Sequence, residues 1–213
     1  MYAREHITLL HLPTTSCILA FVTMGTVIAP TFNVTIFILA LLDFFLGAGV
    51  ASNYLDELCG RPWKTTMPAK DLWIIGMTAL TLSLLIGLYL SLLTGIVFLI
   101  IVLIESFLVV SYNLELFKGL FHNYLSIAAG GSLAFLGGFY LQHQSLDMLT
   151  VIMAIMVGVC SFQGIHLYQV AKPTYRDGKR DILEAIYADR SLRFSILFID
   201  LLAVTMLIIR VIG

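Results

Sequence analysis

Long apolar runs separated by short polar segments follow one another along the whole chain. A helix needs about 20 mostly apolar residues to cross a bilayer, because each residue advances it by about 1.5 Å. Seven runs meet this length, at residues 7–29, 33–57, 70–92, 94–113, 119–141, 145–171 and 192–212. With no linker long enough to separate domains, the pattern predicts one all-α bundle of about seven transmembrane helices over residues 1–213.

The composition agrees with this pattern. The chain has 213 residues, of which 60 % are hydrophobic and 12 % charged, and its mean hydropathy is +0.98. Soluble domains carry about 25 % charged residues, so a soluble protein is excluded, and the net charge of -1 predicts no nucleic-acid partner. The cysteines and histidines show no ligand spacing, and we expect Cys17, Cys59 and Cys160 to be packing thiols.

The placement of the cations predicts the topology. Lys and Arg mark the cytoplasmic side of short membrane loops. All but Arg210 of the 12 Lys and Arg residues fall at the N-terminus or in the segments after the second, fourth and sixth runs. We therefore expect a cytoplasmic N-terminus, cytoplasmic loops at these three places, and a C-terminus outside.

A first cluster of oxygen ligands ends the second run, in "SNYLDELCGRPW". Asn53, Asp56 and Glu57 are three and four residues apart, so they share one face of a helix that Gly60 and Pro62 terminate. Oxygen ligands at a membrane surface suit Mg²⁺, which binds through one or two carboxylates and leaves positions for phosphate oxygens. The alternative is that these residues cap the helix end.

A second cluster lies in the loop after the sixth run, in "AKPTYRDGKRD". Asp177 and Asp181 are four residues apart, and cations surround them, namely Lys172, Arg176, Lys179 and Arg180. Acids that hold Mg²⁺ and cations that neutralise phosphate would together bind a diphosphate. Positive charge in this loop is also expected from topology alone.

The order of these motifs resembles the UbiA-type intramembrane prenyltransferases. The resemblance rests on Asn-x-x-Asp-Glu with Arg-Pro after the second run, "YNLELFK" after the fourth and Asp-x-x-x-Asp after the sixth. It implies a short, seven-span member in which a helical bundle encloses a lipid-facing cavity. The implied reaction is Mg²⁺-dependent transfer of a prenyl group from a polyprenyl diphosphate to a lipophilic or aromatic acceptor.

The resemblance also implies roles for individual residues. The implied catalytic acids are Asp56, Asp177 and Asp181, which with Asn53 and Glu57 form the metal-binding set. The implied diphosphate contacts are Arg61, Lys64, Tyr112, Lys118, Lys172, Arg176 and Arg180. Two alignments of the first motif are possible, with Asn53 on the family's Asn or on its first Asp, and each leaves at least one carboxylate missing.

Two other functions fit parts of the sequence. A non-catalytic lipid-binding or transport protein with the same fold is favoured by the incomplete first motif. A CDP-alcohol phosphotransferase would also be a small multi-span protein with acidic motifs, although "DGKRD" supplies only a fragment of its signature.

Three acids lie deep inside apolar runs, namely Asp43, Glu105 and Asp200. Ionisable groups at that depth usually face the bundle interior. Asp43 is expected on the same side of its helix as Glu57, either lining the cavity or hydrogen-bonded as a neutral acid.

Overall fold

A computed structural model describes residues 3–171 and 182–212 of the chain, and within these ranges no strand occurs. Most connections are short, so consecutive spans run in opposite directions through one bundle. The helices in chain order are α1 (Ala3–Leu9), α2 (Leu12–Ile28), α3 (Val34–Phe44), a π-helix (Phe45–Ala51), α4 (Ser52–Asp56), α5 (Ala69–Thr94), α6 (Ile96–Asn113), α7 (Leu116–Gly119), α8 (Tyr124–His143), α9 (Met148–Ala171) and α10 (Ile182–Ile212).

Six helical stretches in the described ranges are long and apolar enough to cross a membrane. One is the continuous segment Val34–Asp56, and the others are α5, α6, α8, α9 and the part of α10 from Ala185 to Ile212. Helix α2 is apolar but has only 17 residues. The all-α membrane bundle is thereby confirmed, whereas the seventh crossing stays a prediction.

The first apolar run is two helices rather than one continuous helix, and the break lies beside Pro13, a residue that predicts a kink. His11 has a φ of 38°, in the left-handed region, and Pro13 occupies the first turn of α2. Proline lacks a backbone N–H and its ring clashes with a preceding helical turn, so it is tolerated only where a helix begins. Beyond the break, Leu9 of α1 packs in a small core with Tyr54 and Leu72.

The spans form two groups that share α8. In one group α2 packs on α8, α8 on α9, α9 on α10, and α10 back on α2. In the other group α3 and the π-helix pack on α5, and α5 packs on α6, which contacts α8. The buried aromatic side chains Phe98 and Phe135 lie in the largest apolar core, which joins the two groups.

Helices α2 and α8 touch through their backbones. A Cβ atom on Gly25 would lie 2.0 Å from the Phe135 carbonyl oxygen, and one on Gly138 would lie 2.3 Å from that of Val22. The Thr26 hydroxyl donates a hydrogen bond of 3.2 Å to the Gly138 carbonyl. Small residues of this kind allow close helix packing in membranes, where lipid supplies little hydrophobic force between helices.

The second span changes its winding where it passes α2 and α5. The π-helix Phe45–Ala51 begins two residues after Asp43 and ends directly before α4. A Cβ on Gly47 would lie 2.7 Å from the Ser83 hydroxyl oxygen, and one on Gly49 would lie 2.8 Å from the Thr15 methyl carbon. Such π-helical segments are rare and often occur at functional sites. Because this π-helix directly precedes α4, its wider turn determines the direction in which Asn53 and Asp56 face.

Arg210, the one cation predicted on the opposite side of the membrane, caps the connection after α2. Its Nη2 donates to the carbonyl oxygens of Ala29 and Pro30, both at 2.9 Å, and its guanidinium lies 6.0 Å from the Phe32 ring centroid. One planar guanidinium thus ties the end of α10 to the turn between α2 and α3.

We expect Arg210→Lys to lower the free energy of unfolding by about 1 kcal/mol, because the lysine ammonium ends one bond short of Nη2, the atom that donates to both carbonyls, and lacks the planar guanidinium that lies beside Phe32. Arg190→Lys is the matched control, since Arg190 is exposed on the same helix. Thermal unfolding in detergent micelles measures both variants. Equal melting temperatures for the two would contradict the capping role of Arg210.

Candidate functional site

The candidate site lies at the end of the bundle where α4 and α6 finish and α5 and α8 begin, called the Asp56 end below. Two contacts join its segments. Asn113 Nδ2 donates to the Ser52 hydroxyl at 2.9 Å, which links α6 to α4. The Tyr112 ring stacks on the His122 ring with centroids 4.3 Å apart, which links α6 to the segment before α8.

Asn53, the first residue of the first cluster, is buried and bonded to backbone. Its Nδ2 donates to the carbonyl oxygen of Gly49 at 2.5 Å and to that of Leu10 at 3.3 Å. The second bond reaches the break between α1 and α2. The Asn53 side chain therefore supports the local structure, and its role as a metal ligand stays a prediction.

Glu57 is completely buried and organises the loop that follows it. Its Oε1 accepts hydrogen bonds from the backbone N–H and the hydroxyl of Thr65, both at 2.8 Å. Its Oε2 accepts from the backbone N–H of Trp63 at 2.9 Å. Both carboxylate oxygens are thus engaged by the loop that follows the helix, and metal binding by Glu57 stays a prediction.

The same loop engages the Arg61 side chain. Arg61 has a φ of 48°, and its Nη1 donates to the carbonyl oxygens of Thr65 at 2.9 Å and Met67 at 3.0 Å. From the other side, the Glu5 carboxylate of α1 accepts bonds from the N–H and the hydroxyl of Thr66. Hydrogen bonds made by Arg61 and Glu5 thus hold the loop, and its exposed Lys64 lies between the residues that make them.

Asp56 is half-buried at the edge of this loop. Burial raises the pKa of the Cys59 thiol, and the carboxylates of Glu115 and Asp56 raise it further. Asp56 also interacts electrostatically with Tyr112. The structure therefore brings Asp56 of the first cluster near residues of the "YNLELFK" segment.

The "YNLELFK" segment turns sharply after α6. Glu115, Phe117 and Lys118 have φ values of 47°, 56° and 59°, a conformation that residues other than glycine rarely adopt, and Gly119 follows at 76°. The Lys118 side chain is exposed. Strain of this kind persists only where the surrounding structure imposes it.

Histidine and aromatic side chains surround the Asp56 end, and sequence spacing did not reveal this. The His11 ring lies 4.3 Å from the Trp63 ring and 6.1 Å from the Tyr168 ring. Tyr124 and His166 face each other at 6.1 Å. These residues come from α8, α9, the loop after α4 and the break before α2, so no local pattern connects them in the sequence.

The second cluster lies outside the described residues. This applies to Asp177, Asp181 and the cations around them, namely Lys172, Arg176, Lys179 and Arg180. In the part of the chain that the structure describes, no three His, Cys, Asp or Glu side chains form a metal-binding group. Mg²⁺ needs no such trio when it binds through one or two carboxylates and phosphate oxygens, and half-buried Asp56 fits that mode.

A cleft of about 420 Å³ opens between α2, the start of the π-helix and α10. Its walls are mostly apolar and include Leu19, Phe45 and Leu197. Arg193 lies at the part of α10 nearer the Asp56 end, and Asp200 lies about two turns further along the helix. This volume is within the range of about 300–1,000 Å³ that small-molecule sites occupy.

Among the comparisons with known proteins, only the comparison of structures gives a match, and it supports the fold described above. No family model and no curated protein matches the sequence. A solved structure of a UbiA homolog from Archaeoglobus fulgidus bound to Cd²⁺ matches 97 % of this chain and 84 % of its own, with a TM-score of 0.64 and 14 % sequence identity.

The chain has the UbiA fold. The match therefore confirms the architecture that the resemblance implied. At 14 % identity, the match shows the fold alone. The UbiA fold accounts for the helical bundle in the membrane and for the order of its spans.

Proposed function

We propose that this protein transfers a prenyl group from a polyprenyl diphosphate to a lipophilic or aromatic acceptor within the membrane, with Mg²⁺ as cofactor. The observation that carries the proposal is the UbiA fold over nearly the whole chain. Support comes from the Asp56 end, where Asp56 and Tyr112 of two separate motifs interact, and from the apolar cleft.

The proposed donor site combines both clusters. Asp56 would hold Mg²⁺ together with Asp177 and Asp181, while Asn53 and Glu57 support the helix end that carries Asp56. The proposed diphosphate contacts are Arg61, Lys64, Tyr112, Lys118, Lys172, Arg176 and Arg180. A bound Mg²⁺ would supply Lewis-acid stabilisation of the departing diphosphate.

Side chains of the protein would provide the remaining stabilisation of the leaving group and of the allylic cation. Cationic side chains neutralise the negative charge that develops on the leaving diphosphate. The rings of Tyr112, Tyr168 and Trp63 offer π-faces to an allylic cation, an interaction worth about 0.5–2 kcal/mol per ring. An apolar cleft would hold the prenyl chain and keep water from the cation. We place the Asp56 end on the cytoplasmic side, following the loop cations.

A second candidate function is lipid diphosphate binding without chemistry. It is favoured by one specific observation, that Glu57 and Asn53 are engaged by backbone and loop groups. In this case the protein would bind a prenyl diphosphate and release no diphosphate.

Diphosphate release by the purified full-length protein tests both functions. With geranylgeranyl diphosphate, Mg²⁺ and a panel of aromatic and lipid acceptors, we expect Mg²⁺-dependent release that Asp56→Asn lowers by about 100-fold or more, because a ligand of the cofactor is lost. Asp71→Asn is the matched control, since Asp71 lies at the same end in the first turn of α5.

The outcomes separate the two candidates. Binding that needs Mg²⁺ and Asp56 but never leads to release would establish the non-catalytic function. Release that Asp56→Asn and Asp71→Asn affect equally would remove Asp56 from the site, and absence of any Mg²⁺-dependent binding would overturn the proposal.

A further inference from the structure

A second, smaller cavity lies within the membrane between α3, α5 and α6. Its volume is about 30 Å³, which is enough to admit a water molecule. The polar groups in its wall are two carboxyl groups and two hydroxyls, from Asp43, Ser83, Glu105 and Ser106. The rest of the wall is apolar or glycine.

The two carboxyl groups are only partly satisfied by hydrogen bonds. The Ser83 hydroxyl donates to Asp43 Oδ1 at 2.6 Å, and the Asp43 residue is 4 % exposed. Glu105 Oε1 is buried and has no hydrogen-bond partner in residues 3–171 and 182–212. A buried carboxyl oxygen without a partner is costly, and in a membrane protein such a group is a candidate binding site.

No cationic side chain lines this cavity among the described residues. The second span contributes Asp43, α5 contributes Ser83, and α6 contributes Glu105 and Ser106. On the side of α8, a Cβ on Gly130 would lie 3.8 Å from Glu105 Oε2. Two acids thus face a void with no protein counter-charge.

The cavity is separate from the proposed donor site. Asp43 precedes Asp56 by thirteen positions, so the two lie roughly 20 Å apart along the span at 1.5 Å per residue. A carboxyl group at that distance cannot take part in chemistry at the diphosphate. The cavity therefore needs an occupant of its own.

We propose that this cavity binds one small monovalent cation in exchange for one proton. Without the cation both carboxyl groups are protonated and the site is neutral. When the cation enters, Glu105 loses its proton to solution and Asp43, which accepts the hydrogen bond from Ser83, keeps its own, so the Glu105 carboxylate balances one positive charge. Neutrality is preserved in both states, which is what a low-dielectric environment requires.

The size and ligands of the cavity select the cation. Mg²⁺ retains several waters and Ca²⁺ takes about six to eight oxygen ligands, whereas the wall offers only two carboxyl groups and two hydroxyls, one of which already donates to Asp43. A dehydrated monovalent ion fits, with carboxyl oxygens of Asp43 and Glu105 and the Ser106 hydroxyl as ligands. Na⁺ is the probe of choice.

Calorimetry and thermal unfolding of the full-length protein in detergent test the exchange. We titrate NaCl against choline chloride at constant ionic strength, in buffers with different heats of ionisation. We expect saturable binding of one Na⁺, release of one proton per ion, and a melting temperature that rises with Na⁺ concentration, because the ion binds only the folded state.

Two variants locate the site. Glu105→Gln keeps the shape of the side chain but cannot be ionised, so it abolishes both Na⁺ binding and proton release. The same substitution at the exposed Glu115 leaves both unchanged. Should Glu105→Gln not be recovered in folded form, Asp43→Asn must weaken Na⁺ binding in its place.

Other results would overturn the proposal. Equal melting temperatures of the wild type in Na⁺ and choline mean that the two acids are permanently protonated. A Na⁺ effect that persists in the Glu105 variant places the ion elsewhere. Because neither measurement involves a prenyl substrate, failure here leaves the proposed prenyl transfer unaffected.

Discussion

Glu57→Gln is expected to destabilise the protein by about 2–3 kcal/mol, although it changes only one atom of the side chain. The wild-type carboxylate accepts three hydrogen bonds, from the backbone N–H groups of Trp63 and Thr65 and from the Thr65 hydroxyl. An amide has one oxygen, so its NH₂ group must face a backbone donor. The loss combines a charge-assisted bond with an unpaired N–H in a buried position.

The matched control is Glu115→Gln, the same substitution at an exposed position near the same end of the bundle. Thermal unfolding in detergent micelles, followed by circular dichroism, compares the two. We also expect faster proteolysis of the loop over residues 58–67 in the Glu57 variant, because the carboxylate holds Trp63 and Thr65 of this loop. Equal stability of the two variants would show that the loop does not depend on Glu57.

Gly138→Ala is expected to have an effect of similar size, about 1–3 kcal/mol, by a different cause. The added Cβ would lie 2.3 Å from the Val22 carbonyl oxygen and 3.1 Å from the Thr26 hydroxyl. Backbone atoms cannot rotate away, so α2 and α8 must separate. That movement also lengthens the hydrogen bond from Thr26 to the Gly138 carbonyl.

Gly164→Ala provides the control, because a Cβ on Gly164 in α9 meets nothing within 4 Å. Here the expected change is neutral or stabilising by about 0.5–1 kcal/mol, since alanine restricts the unfolded chain and favours helix. Unfolding measured for both variants in the same detergent gives the comparison. If both substitutions proved harmless, the close contact between α2 and α8 would be excluded.

Much of the architecture could be predicted because it depends on local chemistry. Apolar runs of spanning length specify helices in a bilayer, where every backbone N–H and C=O must be paired within its own segment. The all-α bundle follows from this, and the order of the motifs along the sequence indicates the UbiA fold. The end of the second span near Gly60 and Pro62 was predicted for the same local reason.

Some features of the helices escaped this reasoning. Pro13 predicts a kink in the first run, but the left-handed conformation of His11 and the packing of α1 against Tyr54 do not follow from the sequence, because hydropathy continues unchanged across the break. The π-helix Phe45–Ala51 depends on close contacts of Gly47 and Gly49 with other helices. Both are decided by neighbours that are distant in sequence.

For the candidate site, too, some features could be predicted from the sequence and others depend on the tertiary structure. The sequence by itself determined that acids and cations gather at the ends of particular helices, because residue type and helical spacing are local properties. Only the tertiary structure decided what each side chain does: Glu57 and Arg61 bind their own loop, and Asp56 lies near Tyr112. It also decided that Asp43 and Glu105, which are far apart in sequence, line one cavity. The physical reason is that hydrogen bonds, burial and cavities depend on which helices face each other, and hydropathy does not encode that pairing.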